Sequence, residues 1–243
     1  MSESGGDNPY EAPAVELTQA PTGDRGGSIE ATLNGQAQLE VGDTISEAWR
    51  RTKGIKTIVL GAGIAWFAII FGIMVVFAGT GIVDPQSTVS STILQIVLTA
   101  IGYPIIAGII MVGVRQSVDA PVEFGQVFGY MNRIVPLAIL GIVVSILTTI
   151  GYLLLVLPGI YLSIALMLAI PLCVDKDMGL VESLTTSIKL VNKEFLNVFL
   201  LVLAIVVISI ASFITIIGWI WGIPLTMMIY AIIYRQLAGV DSV

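Results

Sequence analysis

The chain has 243 residues, of which 56% are hydrophobic and only 12% charged, and its mean hydropathy is +0.96. A soluble domain carries about 25% charged residues, so this composition excludes an ordinary soluble domain. The chain has no histidine and one cysteine, Cys173. It therefore lacks the commonest metal ligand and general base, and it cannot form an intrachain disulfide.

The N-terminal tail carries the net charge of −6, because residues 1–40 contain seven acidic residues and one basic residue. Residues 1–42 are rich in Gly, Pro, Ser, Glu and Gln, and we predict a disordered acidic cytoplasmic tail. Within it, the stretch Asn8 to Pro13 resembles the Asn-Pro-Tyr starts of many bacterial multi-span proteins. It is interpreted either as a docking peptide or as a polar leader.

The first helical unit follows this tail. Thr44 and Glu47 have the spacing of a capping box, which predicts a short amphipathic helix over Asp43 to Lys53, ended by Gly54. Trp49 and the neighbouring cations suit the headgroup region of a bilayer. The first membrane span is predicted over Thr57 to Phe77.

A polar loop, Thr80 to Ser91, joins the first span to the second span of the same unit. A span is predicted over Thr92 to Val114, with a kink near Ala100 caused by Pro104. The next surface segment, Asp119 to Asn132, places four apolar residues on one helical face: Phe124, Val127, Phe128 and Met131.

Two long runs without charge complete the chain. Ile134 to Pro171 predicts the third and fourth spans, joined by a tight turn at Pro158 and Gly159. An amphipathic helix is predicted over Met178 to Asn192. Phe195 to Tyr234 predicts the fifth and sixth spans, with a turn from Gly218 to Gly222.

Threading six spans from a cytoplasmic N-terminus places all eleven Lys and Arg residues on the cytoplasmic side, as expected for translocated short loops that avoid cations. Both termini are then cytoplasmic. Trp219 and Trp221 are expected at the outer interface, and Tyr234 at the inner one.

The predicted fold is an all-α polytopic membrane protein, with residues 43–243 forming six transmembrane helices in three parallel units. Each unit is preceded by an amphipathic in-plane helix. Asp43, Asp119 and Asp177 open these helices, and Lys56, Arg133 and Lys193 stand where the chain re-enters the membrane. The similarity of the units indicates either a true triplication or the charges that any inner loop carries.

A family resemblance rests on Leu157 to Tyr161, on Ala169 to Pro171 and on the segment Asp175 to Lys193. These features resemble the YciC-like bacterial inner-membrane proteins and the membrane domain of some glycerophosphodiester phosphodiesterases. The resemblance covers roughly residues 150–200, and it implies a bacterial inner-membrane architecture more than an activity. The phosphodiesterase chemistry needs histidines that this chain lacks.

No constellation of catalytic, cofactor-binding or metal-binding residues is found. The acids Asp119, Glu123, Asp175 and Asp177 are explained more simply as helix-start residues than as metal ligands, and Cys173 as a packing residue. A few polar residues inside the spans either line a hydrophilic seam or bond to their own helices: Gln95, Thr148, Thr149, Ser209 and Ser212. A backbone-carbonyl site at Pro104 or Pro224 is also considered.

These patterns favour a non-catalytic inner-membrane protein that binds anionic lipid headgroups at its cytoplasmic face, or a protein partner or second copy, and no nucleic acid. The alternative is a permease or lipid transporter with a neutral pathway. The predicted headgroup-binding residues share exposed cationic or aromatic chemistry: Trp49, Arg50, Arg51, Lys53, Lys56, Arg133, Lys189 and Lys193.

Overall fold

The computed structural model describes residues 25–80, 87–215 and 218–241, and within these ranges the chain is helical with no β-strand. The α-helices are α1 (Ile29–Leu33), α2 (Val41–Thr80), α3 (Thr88–Ser117), α4 (Ile134–Leu154), α5 (Val156–Ala165), α6 (Ala169–Asp175), α7 (Leu180–Lys193), α8 (Phe195–Ile214) and α9 (Trp219–Ala238). Two 3-10 helices, Phe124–Phe128 and Met131–Arg133, lie between α3 and α4.

In the described ranges, five helical segments are long and apolar enough to cross a membrane, which makes the chain a multi-pass membrane protein. They are Val41–Gly79, Thr88–Ser117, Phe124–Leu154, Val156–Asp175 and Phe195–Ile214. Many of their large apolar side chains point outward, such as Phe71 of α2, Leu153 of α4 and Phe213 of α8. An exposed apolar surface of this kind suits contact with lipid.

Helix α9 forms the centre of the bundle and packs against α1, α2, α3, α7 and α8. Its residues from Met228 to Ala238 are almost all buried, including the whole side chain of Tyr234. Tyr234 was predicted at the inner interface. The ring is buried in the protein and does not face lipid headgroups, and its depth in the membrane stays a prediction.

The first predicted surface helix and first span form one continuous helix, α2, of 40 residues. Gly54 does not end a helix. It lies where α2 passes α3, and a Cβ there would overlap the side chain of Gln116. A glycine inside a helix costs only about 1 kcal/mol relative to alanine. That cost is too small to end α2, and the glycine leaves room for Gln116 of α3.

The second surface segment is not an α-helix. It contains the two 3-10 helices, and Val127 is buried against α3. At Gly108 of α3, a Cβ would overlap the carbonyl group of Val127. The 3-10 segment therefore packs on α3 instead of lying alone on the membrane surface.

The hairpin between α4 and α5 turns at one residue, Leu155, whose backbone is extended (φ −165°, ψ 155°). Pro158 and Gly159 were predicted as the turn, but they lie in the first turn of α5. Proline is tolerated there because its missing N–H needs no helical partner. At Gly159, a Cβ would overlap the Tyr152 ring, so this glycine lets α4 and α5 approach closely.

The fourth candidate span is interrupted at Leu166–Leu168, between α5 and α6. Pro171 contributes to the break, because it has no N–H to bond the carbonyl of Met167 four residues earlier. That carbonyl instead accepts a hydrogen bond from the hydroxyl of Tyr230 on α9. Ser187 of α7 bonds both sides of the break, donating from Oγ to the Ala165 carbonyl (2.7 Å) and accepting from the Leu168 N–H (3.1 Å).

Helix α7 confirms the helix predicted over Met178 to Asn192, because its ends lie within two residues of the predicted ones. Its buried residues follow helical spacing: Ser183, Leu184, Ser187, Leu190 and Val191. That face packs on α1, α5 and α6. The last predicted turn, Gly218 to Gly222, lies mostly inside α9, which begins at Trp219.

The prediction of a disordered tail concerns residues 1–42, and residues 1–24 lie outside the described part. The rest contains α1, which is capped by Ser28 and packs on α7 and α9. Thr32 Oγ1 donates a 2.7 Å hydrogen bond to the carbonyl of Leu237, and Gly27 N donates a 3.1 Å bond to the carbonyl of Arg235. The chain is therefore bonded to α9 from Gly27 onward, and this part of the predicted tail is ordered.

Candidate functional site

The eight predicted headgroup-binding residues fall into three groups in the structure. Arg51 and Arg133 form ion pairs within the protein. Trp49 and Lys56 both contact Trp221. The other four cations are exposed and form no ion pair with any described residue: Arg50, Lys53, Lys189 and Lys193.

The ring of Trp49 stacks on that of Trp221 with their centroids 5.8 Å apart, and Lys56 Nζ lies 3.9 Å from the Trp221 ring centroid. Lysine over an indole face is a favourable cation–π contact. The two faces of a bilayer core lie about 30 Å apart. The expectation that Trp49 and Trp221 occupy opposite interfaces is therefore wrong.

One end of the bundle holds a network of ion pairs around Arg235. Arg235 donates to both carboxylate oxygens of Glu47, at 2.9 and 2.7 Å, and to the carbonyl of Ser117. Arg51 binds the same Glu47 at 2.7 Å and Asp119 at 2.5 Å. We call the part of the bundle around these residues the ionic end. The network joins α2, α9 and the C-terminus of α3.

A second polar cluster adjoins the first, since Tyr234 precedes Arg235 on α9. The hydroxyl of Tyr234 donates a 2.7 Å hydrogen bond to Asp175, and the N–H of Asp241 lies 3.2 Å from the same carboxylate. Lys176 Nζ lies 3.7 Å from Asp175 and 2.7 Å from Asp241. Asp175 was predicted as a helix-start acid. The structure corrects this, because Asp175 is the last residue of α6, and its fully buried carboxylate accepts a hydrogen bond from Tyr234 of α9.

Arg133 forms the third ionic contact, to Asp177 at 2.7 Å. This pair is exposed, with 81% of the Asp177 side chain accessible. The acids considered as a possible metal site are thus divided among separate contacts, with Asp119 on Arg51 and Asp177 on Arg133. In the described part of the chain, no three Cys, Asp or Glu residues group closely enough to hold a metal ion.

A polar cleft opens between α3 and α4, away from the ionic end. It has a volume of about 440 Å³. Its polar side chains come from both helices: Gln95, Thr99, Tyr103, Ser145 and Thr149. Tyr103 bonds across the cleft to Ser145 Oγ at 3.0 Å and to the Gly141 carbonyl at 3.1 Å.

Of the polar residues suggested to line a seam, Gln95 and Thr149 do line this cleft, and Tyr103 was missed. Thr148 instead donates to its own helix, at the carbonyl of Val144 (2.9 Å). Ser209 and Ser212 lie in a separate cleft of about 250 Å³ between α8 and α9. Tyr103 could have been noticed from its place one residue before Pro104, on the helical face of Gln95 and Thr99.

The chain resembles few known proteins. No family model matches it, and no solved structure matches it significantly. An uncharacterized protein of Mycobacterium bovis is 28% identical over 226 residues, covering 83% of this chain and 69% of the relative. An uncharacterized protein of Mycobacterium tuberculosis shows the same identity and coverage. This chain is therefore a multi-pass membrane protein similar to two mycobacterial proteins whose descriptions assign no activity.

Proposed function

We propose that this protein is a non-catalytic protein of the bacterial inner membrane that binds anionic lipid headgroups through exposed cations of α2 and α7. The proposal rests on the difference between cations that form ion pairs within the protein and cations that do not. Arg51, Arg133 and Arg235 are neutralised by carboxylates of the chain, whereas Arg50, Lys53, Lys189 and Lys193 are exposed and pair with no carboxylate of a described residue.

Unpaired cations beside a membrane gain energy from anionic lipids, about 1 kcal/mol for each Lys or Arg near the surface. Four such cations amount to a useful attraction for a protein already held in the bilayer. The same attraction would place these cations at the cytoplasmic leaflet, which is the more anionic one. Both termini are then cytoplasmic in the proposed topology.

In this proposal the bundle crosses the membrane six times, with α9 as the sixth crossing, although Trp221 in its first turn contacts Trp49 and Lys56 of α2. Its 20 residues correspond to about 30 Å of helix. Its start packs beside the end of α8, where a Cβ at Gly222 would overlap Ser212. Three parallel two-span units, a relationship to the YciC-like proteins and an inner-membrane location form part of the proposal.

The experiment compares lipid binding by a neutralised and a charge-conserving variant. In the first, Arg50, Lys53, Lys189 and Lys193 are all changed to Gln. In the second, Arg50 becomes Lys and the three lysines become Arg. Native mass spectrometry after mixing with phosphatidylglycerol and phosphatidylcholine measures the selectivity.

We expect the wild type and the charge-conserving variant to retain phosphatidylglycerol preferentially. The neutralised variant should lose that preference by tenfold or more, since each tenfold in affinity is about 1.4 kcal/mol. Equal retention of phosphatidylglycerol by all three proteins would refute the proposal. A stable protein partner recovered with all three would instead favour binding through a partner.

A second candidate, a permease or lipid transporter with a neutral pathway, is favoured by one observation. The cleft between α3 and α4 is lined by uncharged polar residues, and such a lining offers hydrogen bonds without the cost of burying charge. Flux of an uncharged solute into proteoliposomes, lost on the change Gln95→Leu, would support this candidate over the first.

A further inference from the structure

The cleft between α3 and α4 has an unusual distribution of hydrogen bonds. Tyr103 and Ser145 bond to each other, whereas Gln95, Thr99 and Thr149 make no side-chain hydrogen bond to any described residue. A Thr hydroxyl inside an apolar span usually bonds a carbonyl of its own helix, as Thr148 does. Three neighbouring side chains therefore keep free donors and acceptors that face one cavity.

The cleft lies near the end of the bundle opposite the ionic end. From Gln95 to Ser117, at the ionic end, α3 rises by about 33 Å at 1.5 Å per residue. The rim of the cleft is aliphatic, formed by Ile142, Ile146 and Ile150 of α4. Ile146 and Ile150 are about half exposed, so aliphatic side chains flank the opening of the cleft.

The shape of the cleft depends on Gly141. The Tyr103 ring lies directly against this glycine, and a Cβ at position 141 would overlap the ring. The hydroxyl of Tyr103 is thereby held at the carbonyl of Gly141 and at Ser145. The ring closes the cleft on the side toward the ionic end, and the polar groups remain at the other.

The charge of the lining restricts the occupant. The cleft contains no Asp, Glu, Lys or Arg. A phosphate or an ammonium group would lose its hydration there without gaining a counter-ion, which is costly in an apolar medium. Hydroxyl groups, by contrast, both donate and accept, and they match the amide of Gln95 and the hydroxyls of Thr99 and Thr149.

We propose that this cleft binds a membrane lipid whose headgroup is uncharged and carries several hydroxyls, such as a glycerol or a sugar joined to two acyl chains. The headgroup bonds to Gln95, Thr99 and Thr149, and the chains lie along Ile142, Ile146 and Ile150. A volume of about 440 Å³ falls in the range of roughly 300–1,000 Å³ usual for ligand pockets. The site goes beyond the proposed function, because none of the four exposed cations lines this cleft.

The test uses full-length protein and native mass spectrometry with two probes, glucosyl-diacylglycerol and phosphatidylglycerol of the same chains. The cleft variant combines Gln95→Leu and Thr149→Val, which keep size while removing hydrogen-bonding groups. The matched control combines Ser209→Ala and Thr226→Val in the α8/α9 cleft, where both hydroxyls already bond carbonyls of their own helices. The single variant Thr149→Val provides a milder change if the double variant folds poorly.

We expect the cleft variant to bind glucosyl-diacylglycerol roughly tenfold more weakly and the single variant about threefold more weakly, since each hydrogen bond contributes modestly. The control variant should bind it like the wild type, and no variant should change in phosphatidylglycerol binding. Undiminished binding of the glucosyl lipid by the cleft variants would overturn the inference. So would equal loss of both lipids, or a dimer of the wild type that dissociates on Gln95→Leu without any change in lipid binding.

Discussion

Asp119 and Asp177 occupy matching positions in the chain and in the structure. Each lies two residues beyond the end of a helix, α3 or α6, and each has a left-handed backbone, with φ of 57° and 54°. Each also binds an arginine from an earlier unit, Arg51 or Arg133. The two junctions between proposed units thus have the same backbone conformation and the same kind of Asp–Arg ion pair, which supports an internal repeat.

The left-handed conformation gives a first prediction. Asn tolerates positive φ, whereas a β-branched residue does not. Asp119→Asn removes a partly exposed ion pair and should cost less than about 1 kcal/mol. Asp119→Val removes the same pair and adds strain of about 1–2 kcal/mol. Thermal unfolding in detergent, followed by a thiol dye at the buried Cys173, compares the two variants, and equal melting temperatures would contradict the backbone argument.

The contact between Arg235 and Glu47 should matter far more for stability than the surface ion pairs. Both side chains are largely buried, with 10% and 18% exposed. Removing one partner of a buried pair leaves the other charge uncompensated, which costs about 3–5 kcal/mol. Glu47→Ala should therefore lower the free energy of unfolding strongly, as measured by urea titration in mixed micelles.

The matched control for Glu47 is Asp177→Ala, because Asp177 is exposed and pairs with Arg133 at the same distance of 2.7 Å. A surface pair contributes about 0–1 kcal/mol. If Asp177→Ala destabilised the protein as much as Glu47→Ala, burial would not be the reason for the difference.

The break between α5 and α6 gives a third prediction. Ser187→Ala leaves the Ala165 carbonyl and the Leu168 N–H without their present partner, and an unsatisfied buried group costs about 1–3 kcal/mol. Thr185→Ala on the same helix is the control. Thr185 is exposed and bonds only carbonyls of its own helix, Val181 and Glu182. Hydrogen exchange of the Leu166–Leu168 amides should rise in the Ser187 variant and stay unchanged in the control.

Close packing at Gly108 gives a fourth prediction. Gly108→Ala forces a methyl group onto the carbonyl of Val127, and overpacking of this kind costs about 1–3 kcal/mol. At Gly72 of α2 nothing lies within 4 Å of the added Cβ. Gly72→Ala should be neutral or stabilise the helix by up to about 1 kcal/mol. Opposite shifts in the melting temperature would support the packing of the 3-10 segment on α3.

The apolar runs predicted most of the long helices correctly because a membrane helix depends on local composition alone. Helix α8 begins at Phe195, as predicted, and α3 extends the predicted span by only a few residues. Gly54 and Pro158 misled the prediction because the surroundings that allow each of them in a helix are not visible in the local sequence. A breaker residue is compatible with a helix when another element packs closely on it or when it lies in the first turn, and neither circumstance is visible locally.

The polar contacts were mostly beyond prediction because they join residues far apart in sequence. Glu47 and Arg235 are 188 residues apart, and no periodicity in either helix links them. Gln95 and Thr149 were noticed only as isolated polar residues. Their meeting in one cleft depends on the packing of α3 against α4 at Gly141.

The course of α9 through the membrane gives the final prediction. If α9 is the sixth crossing, its first residue and the start of α2 lie on opposite sides. We would test this in intact cells with a Cys173→Ala background and two single-cysteine variants, Trp219→Cys and Gly42→Cys. Gly42 is a suitable site because nothing lies within 4 Å of an added Cβ there.

A membrane-impermeant maleimide should label Trp219→Cys in intact cells and Gly42→Cys only after permeabilisation. Labelling of neither before permeabilisation, and of both after it, would mean that α9 begins and ends on the cytoplasmic side. The contact of Trp221 with Trp49 and Lys56 would then mark a cytoplasmic core built around α9. In that case the chain would cross the membrane without α9, and the third unit would be incomplete.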